Sequence, residues 1–423
     1  MELRSALRQA ALARPAVLTA VLPGATRARL AVERELGDRR WPHAPSPAAA
    51  DLLVLVGSPR EEAPAWLDGT WTALAEPRAL VRIDDPPGAR AALDAGHAAL
   101  LRGAAGPERQ RARKDPGPYV PGNGGPVRDD GRTPGPTGHH GGHDRADGSA
   151  AHSHDTPALV SGLPLAERAD DRDGLRLDRL HVPFGPVLPD WPAGLVLRLA
   201  LQGDVVQEVT GVEVVEAAPA PRPPFWDEPW RQAAAGAPVS RGAAARRRCA
   251  AHLDSLGRFL AVADWPDAAA RARRLRDAAL AGAPARELAH AVERLTRRVG
   301  RSRTLRWLTS GIGVLPREQA LAAGIGGPAL AADGDAWDRT VRWLTEAARS
   351  AAACDDRRPL APDDPAGPRG GLAGRCPPSR ALLDVLPPLL RGAELAAARL
   401  TLASLDPDPD ELAPVAAGEV TRG

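Results

Sequence analysis

A lysine amine, a set of thiols, a histidine cluster and a charged helix face are the groups from which this chain could build chemistry, and the spacing of each narrows the choice. Lys114 is the single lysine among 55 basic residues. A phosphate-binding loop needs a lysine on the phosphates, and a Schiff-base enzyme needs a lysine amine. Lys114 sits in a Pro/Gly-rich stretch that offers neither context, so both classes are excluded. Cys249, Cys354 and Cys376 are too few for an internal four-thiolate iron–sulfur cluster and show no C-x-x-C spacing, so reduced thiols and no cluster are expected. Five of the ten histidines, His139, His140, His143, His152 and His154, fall in one Gly/Pro-rich tract. They are the metal candidates, for nickel or zinc, although imidazoles on a flexible chain make weak and unselective sites and a solvated spacer is the simpler reading. His252 and Asp254 are two apart and so face different sides of a helix, which is no ready acid–base pair. No G-x-S-x-G or H-E-x-x-H spacing occurs, and Gly311-x-Gly313 lacks the third glycine and the preceding strand of a dinucleotide loop.

The elements that must position these groups follow from apolar periodicity. Residues 1–102 alternate apolar runs (16–22, 51–56, 79–83) with helical patterns (26–36, 63–74, 88–101), which predicts a three-layer α/β domain with a parallel sheet covered on both faces. Residues 103–172 are Gly, Pro, Arg, Asp and His with almost no apolar pattern and are expected to form a disordered linker. From 173 to 412 the pattern predicts a small β-sheet with a hairpin at Gln202-Gly203-Asp204, then helices over 242–263, 266–281 and 284–308, a shortened bundle. Residues 355–374 read as a second disordered piece, the acidic run after Leu405 as a polar terminator, and 413–423 as a disordered tail. The net charge of +2 gives no argument for nucleic acid. No run reaches the roughly 18 apolar residues of a membrane span, and the expected location is cytoplasmic.

The stretch Gly311-Ile312-Gly313-Val314, Glu318, Ala320, Leu321, Gly324, Gly327-Pro328, Leu330, Gly334, Trp337, Asp338 resembles the signature segment of the quinone-site subunit of NADH-quinone oxidoreductase, respiratory complex I. That family is related to the large subunit of nickel–iron hydrogenases. The loop Gly185, Pro186, Pro189, Gly194 with Leu195, Leu197, Gly203, Asp204 and Val206 resembles the family's quinone-facing loop and the strand after it. His252, Leu253, Asp254 and Leu256 keep the frame of its tyrosine-bearing helix, and Arg375, Pro377, Ser379, Pro387, Leu390, Gly392, Ser404, Leu405 and Asp406 match its carboxyl end. Residues 1–102 resemble the neighbouring component of complex I, the one that carries the iron–sulfur cluster next to the quinone, in the strand ending at Gly57 and in Glu76-Pro77-Arg78.

The resemblance implies a component of a respiratory electron-transfer complex linked to NADH and quinone, with the other subunits as partners and peripheral membrane association through them. It also implies which positions would face quinone: Leu188, Trp191 and Arg258. Departures fall on those positions, and in the signature segment Ala331 stands where the family usually has an arginine. Leu188 stands where the family has a histidine, the second histidine is replaced within 191–193, Arg258 stands where it has a tyrosine, and no cysteine precedes Cys249. Arg258 could still donate a charge-assisted hydrogen bond to quinone, the ordinary alternative being an ion-paired helical arginine. Three readings stay open: a working quinone-binding component, a catalytically inactive scaffold or assembly paralogue, and a nickel-handling factor using the linker histidines.

Overall fold

The computed structural model describes residues 10–61, 64–102, 176–364, 366–372, 374 and 376–414, with side chains from 178 onward in the third of these, and the backbone of short strands between 159 and 170. Met1–Gly106 and Arg168–Gly423 form one compact unit, and Pro107–Glu167 forms another. Three strands open the first unit: β1 (Val17–Val21), β2 (Leu52–Val56) and β3 (Ala79–Ile83), parallel and in that order. All five residues of central β2 are buried, because both faces of the sheet are covered and no position is left for a polar side chain. On one face Leu52, Val54 and Val56 pack against Val32 and Leu36 of α1 (Thr26–Arg39) and Leu93 and Leu100 of α3 (Ala89–Arg102). On the other, Leu53 and Leu55 meet Leu67 of α2 (Ala65–Ala73) and Leu74. Each such buried side chain contributes about 1.5–3 kcal/mol. The expected three-layer α/β arrangement is present.

In the second unit, β4 (Leu159–Val160) and β5 (Leu163–Pro164) form a short antiparallel pair. The histidine tract 139–154 and the tail from 415 lie outside the described residues. A four-stranded sheet follows along the chain in the order β6 (Glu167–Asp170), β7 (Arg176–Phe184), β8 (Leu195–Gln202), β9 (Val205–Val214). The β8–β9 hairpin turns at Gly203, whose φ of 59° suits a residue without Cβ.

The helical part comprises α4 (Glu228–Ala234), α5 (Arg241–Val262), α6 (Pro266–Leu280), α7 (Ala285–Gly300), α8 (Arg303–Thr309), α9 (Arg317–Ala322), α10 (Gly327–Ala332), α11 (Ala336–Ala352), α12 (Pro378–Asp384), α13 (Leu386–Leu390) and α14 (Leu395–Leu405). Helix α5 is its axis, packing on α6, α11 and α14, with Leu253, Leu256, Phe259 and Leu260 fully buried. Ser240 caps it, its Oγ accepting from the Ala243 N–H at 3.1 Å.

Two expectations need correction. The helix predicted over 284–308 is two helices, since Ser302 breaks the pattern by capping α8 through the Leu305 N–H at 3.2 Å. Residues 355–374 hold defined structure in their described part. Asp356 O accepts from Gly242 N at 2.7 Å, Leu360 is buried, and Arg369 is inserted among carboxylates. A run of Asp, Pro and Gly looks disordered by composition, but here backbone bonds and one buried guanidinium order it.

Candidate functional site

The loop between β7 and β8 is shaped by two glycines. Gly185 has φ of 105°, and a Cβ there would stand 2.2 Å from Leu195 O and 2.6 Å from Trp191 Nε1. Gly194 has φ of 64°, and its N–H donates to Val21 O at 2.9 Å, which fastens the loop to the end of β1. The loop therefore lies where the α/β part meets α5 and α6. Trp191 is 8% exposed, stacks edge-on against Phe184 at 5.0 Å, and donates its indole N–H to Leu195 O at 2.7 Å.

The three positions that the resemblance would turn toward quinone converge. Leu188, Trp191 and Arg258 line one cavity of about 30 Å3, closed by Thr19 of β1, Arg29 and Glu33 of α1, His43, and Arg273 of α6. Pro186 lies in the same wall.

Behind the cavity sits a carboxylate ringed by guanidiniums. Asp254, on α5 and fully buried, takes Arg29 Nη2 at 2.7 Å and Arg276 Nη1 at 2.7 Å, with Arg258 Nε at 3.7 Å. Glu33 takes Arg29 Nη1 at 2.7 Å and Arg276 Nη1 at 2.5 Å. Burial would raise both carboxyls, but Arg29 and Arg276 overcome it and hold both well below the ordinary carboxylate range. The same pairs keep Arg29 and Arg276 raised against burial. Nearby, Arg273 pairs with Asp190, a loop residue at φ of 59°. His43 is lowered, first by burial and then by Arg273. Arg29 and Glu33 come from the N-terminal α/β part, Asp254 and Arg276 from the helical part, so these ion pairs tie the two together inside one compact unit.

These residues do not fit a quinone head group. A cavity of about 30 Å3 has room for a water or two, whereas an apolar ring needs on the order of 150 Å3. The indole N–H of Trp191 is already bonded, Leu188 offers no proton, and Arg258 is paired with Asp406 as well as Asp254. Arg258 takes the ion-paired alternative left open by the sequence.

The signature segment has a structural explanation. Asp338 forms a reciprocal cap with Asp335 at the start of α11, each side chain accepting from the other's backbone N–H at 3.0 and 3.1 Å. Gly313 (φ 56°) and Gly327 (φ 59°) are bare because a Cβ would stand 2.6 Å from Thr401 and 2.3 Å from Arg369 O, and Gly311 turns the chain at φ of 78°. Pro328 lines a second, water-sized cavity of about 10 Å3 beside His252 and Arg369. Sequence reasoning passed over the residue that holds the segment together. Arg339, 1% exposed, donates to Gly313 O at 2.8 Å, Gly334 O at 3.0 Å and Ser404 Oγ at 3.0 Å, and burial lowers its pKa to about 10.

The acidic run after Leu405 is the largest correction. Expected as a polar terminator, it is buried and bonded. Asp406 receives Arg258, Arg369 Nη2 at 2.5 Å and the Ser255 hydroxyl at 2.6 Å. Asp410 accepts from Gly24 N at 2.7 Å and Thr26 N at 3.4 Å, placing a carboxylate at the N-terminus of α1. Glu411 accepts from Ser379 N at 2.8 Å at the start of α12. Here carboxylates outnumber guanidiniums. Burial, with Asp410 adding to it, pushes Asp408 well above the ordinary range, and burial with Asp227 raises Glu411 to about 7.

The remaining candidates separate. His252 lies on the opposite side of α5 from the Asp254 network, fully buried, its pKa lowered to about 3 by burial and then by Arg248 and Arg369. Cys249 and Cys354 are buried, with burial raising both thiols, and Cys376 is exposed. Among the described residues no group of three or more His, Cys, Asp or Glu is placed to hold a metal ion. Weak sequence signals for the network existed: Arg29 and Glu33, like Asp254 and Arg258, are four apart on a helix face.

The fold defines a mixed α/β protein, a parallel three-stranded sheet in three layers followed by an antiparallel sheet and a helical region. No family model and no curated protein matches the chain. Among solved structures it is similar to a chain from the membrane-bound sulfane sulfur reductase, described as an archaeal respiratory membrane complex, at 16% identity and a TM-score of 0.40, over 56% of this chain and 98% of that one.

Proposed function

We propose that this chain is a structural component of a respiratory electron-transfer complex, of the kind that faces quinone in complex I, in which the quinone position has become a packing joint. The supporting sequence feature is the motif resemblance over 185–206, 252–256, 311–338 and 377–406. The observation that carries the functional half is the water-sized cavity at Leu188, Trp191 and Arg258, where the Trp191 indole N–H and the Arg258 guanidinium already have partners within the chain. Its partners are other subunits of that complex, and its contribution is shape. The same convergence favours a second reading, quinone binding after the joint opens.

One titration separates the two readings. The full chain, purified under reducing conditions, is titrated with a short-chain ubiquinone while tryptophan fluorescence is followed. The structural role predicts no saturable change and no iron in the preparation. Saturable quenching that weakens at least about tenfold in Arg258→Ala, with the fold retained, replaces it with the second reading.

A further inference from the structure

Residues 293–317 carry seven arginines (Arg294, Arg297, Arg298, Arg301, Arg303, Arg306, Arg317) and one acid, Glu293, in a chain whose charges otherwise nearly cancel. All seven are exposed. Four of them, Arg294, Arg297, Arg298 and Arg301, recur at offsets of three, four and seven, which is one face of α7 and its cap, opposite the buried Leu288, Val292, Leu295 and Val299. Among the described residues only Arg297 of these has a carboxylate within ion-pair distance, Glu293 at 3.9 Å. The next element, α8, turns Leu305 and Thr309 inward and leaves Arg303, Arg306, Trp307 and Leu308 outside. Trp307 is 78% and Leu308 44% exposed, and five of the six exposed large apolar side chains of the described residues lie between 307 and 341. In the buried networks Arg29, Arg276 and Arg369 each have a carboxylate within ion-pair distance, whereas six of these seven exposed arginines have none among the described residues.

We propose that α7 and α8 form a docking surface for an anionic bilayer, with the arginines at the phosphates and Trp307 and Leu308 at headgroup depth. Two features favour a bilayer over an acidic protein. The cations are spread along a helix face and a turn without a preset carboxylate geometry, which suits mobile phosphates that need no register. An exposed indole next to guanidiniums matches the water–lipid boundary, where an apolar ring with a polar N–H is favoured. No described helix is long and apolar enough to cross a membrane, so the contact would be peripheral. The inference is independent of the quinone question.

The test uses the full chain and sedimentation with vesicles of phosphatidylcholine containing phosphatidylglycerol, against phosphatidylcholine alone. Binding is expected only to the anionic vesicles and is expected to fall steeply with salt. Each arginine near the surface is worth about fivefold in partitioning, so Arg303→Glu with Arg306→Glu should weaken binding about 25-fold or more. Arg34→Glu with Arg102→Glu makes the same net charge change at exposed positions on α1 and α3, and should leave binding unchanged. Trp307→Ser should weaken binding without altering its salt dependence. Circular dichroism checks that each variant is folded, and Arg303→Gln with Arg306→Gln replaces the reversal if that one is not. Equal binding to neutral vesicles, equal loss in the α1/α3 control, or retention on polyglutamate without vesicle binding would each overturn the proposal, the last assigning the surface to an acidic protein.

Discussion

Two clusters of buried charge, joined by one ion pair, differ in their balance of charge. Around Asp254 the guanidiniums of Arg29, Arg258 and Arg276 match the carboxylates of Asp254, Glu33 and Asp277, and Asp254 and Glu33 are held ionised. Around Arg369 the carboxylates of Asp227, Asp406, Asp408 and Glu411 outnumber the guanidinium, and Asp408 and Glu411 retain protons into the range where a free carboxyl has lost them. Burial pushes Asp254, Glu33, Asp227, Asp408 and Glu411 upward alike, so burial does not distinguish the clusters. The local ratio of charges does. The Arg258–Asp406 pair connects them, so the position that would face quinone is also the link between two parts of the fold.

The sharpest way to break the first cluster is Arg276→Ala. It leaves Asp254 and Glu33 with one cation fewer at sites where the side chains are 0% and 15% exposed, and should cost about 3–5 kcal/mol in urea unfolding, enough to loosen the α/β part from α5 and α6. Asp406→Asn tests the link. It preserves shape but leaves Arg258 and Arg369 undercompensated, with an expected loss of about 2–4 kcal/mol, and a near-zero effect would mean that the clusters are independent. The smallest change is Glu411→Gln, which sharpens the contrast through pH.

For Glu411 the native pKa, about 7, lies above the unfolded value, so the folded state binds more protons between them. Its contribution is full below roughly pH 4.5 and is lost as pH rises through 7. The Asp254 and Glu33 contributions have the opposite sign, being full above the unfolded carboxylate value and lost toward acid. Wild-type melting temperature should therefore decline from pH 5 to 8 on account of the Arg369 cluster, and Glu411→Gln should make that decline shallower while leaving the acid limb unchanged. A parallel pH profile in the variant would place the native pKa of Glu411 near its ordinary value.

Much of the architecture was legible along the chain because it rests on local periodicity. The continuous apolar run at 52–56 could only be a strand covered on both faces, and the spacing of Leu288, Val292, Leu295 and Val299 could only be a helix with one buried face. Gly185, Gly194, Gly313 and Gly327 were legible as special positions, and each is explained by a positive φ and a neighbour that would collide with a Cβ. Residues 355–372 and 406–411 were misjudged for a shared reason. Asp, Glu, Pro and Arg are read from composition as solvated, and nothing within a few residues of Arg369 or Asp410 marks the partner that buries it, since Asp410 caps a helix that begins at Thr26.

By itself the sequence determined the parallel α/β layer, the hairpin and most of the helices, because those depend on side-chain type and on spacings of two to seven residues. Only the tertiary structure decided what the individual residues do. It drew Leu188, Trp191 and Arg258 to one cavity, closed that cavity to the size of a water or two, and matched Arg258 to Asp406, 148 positions away. The physical reason is that a buried charge is stable only beside its counter-charge, and which distant residue supplies it depends on how the whole chain packs.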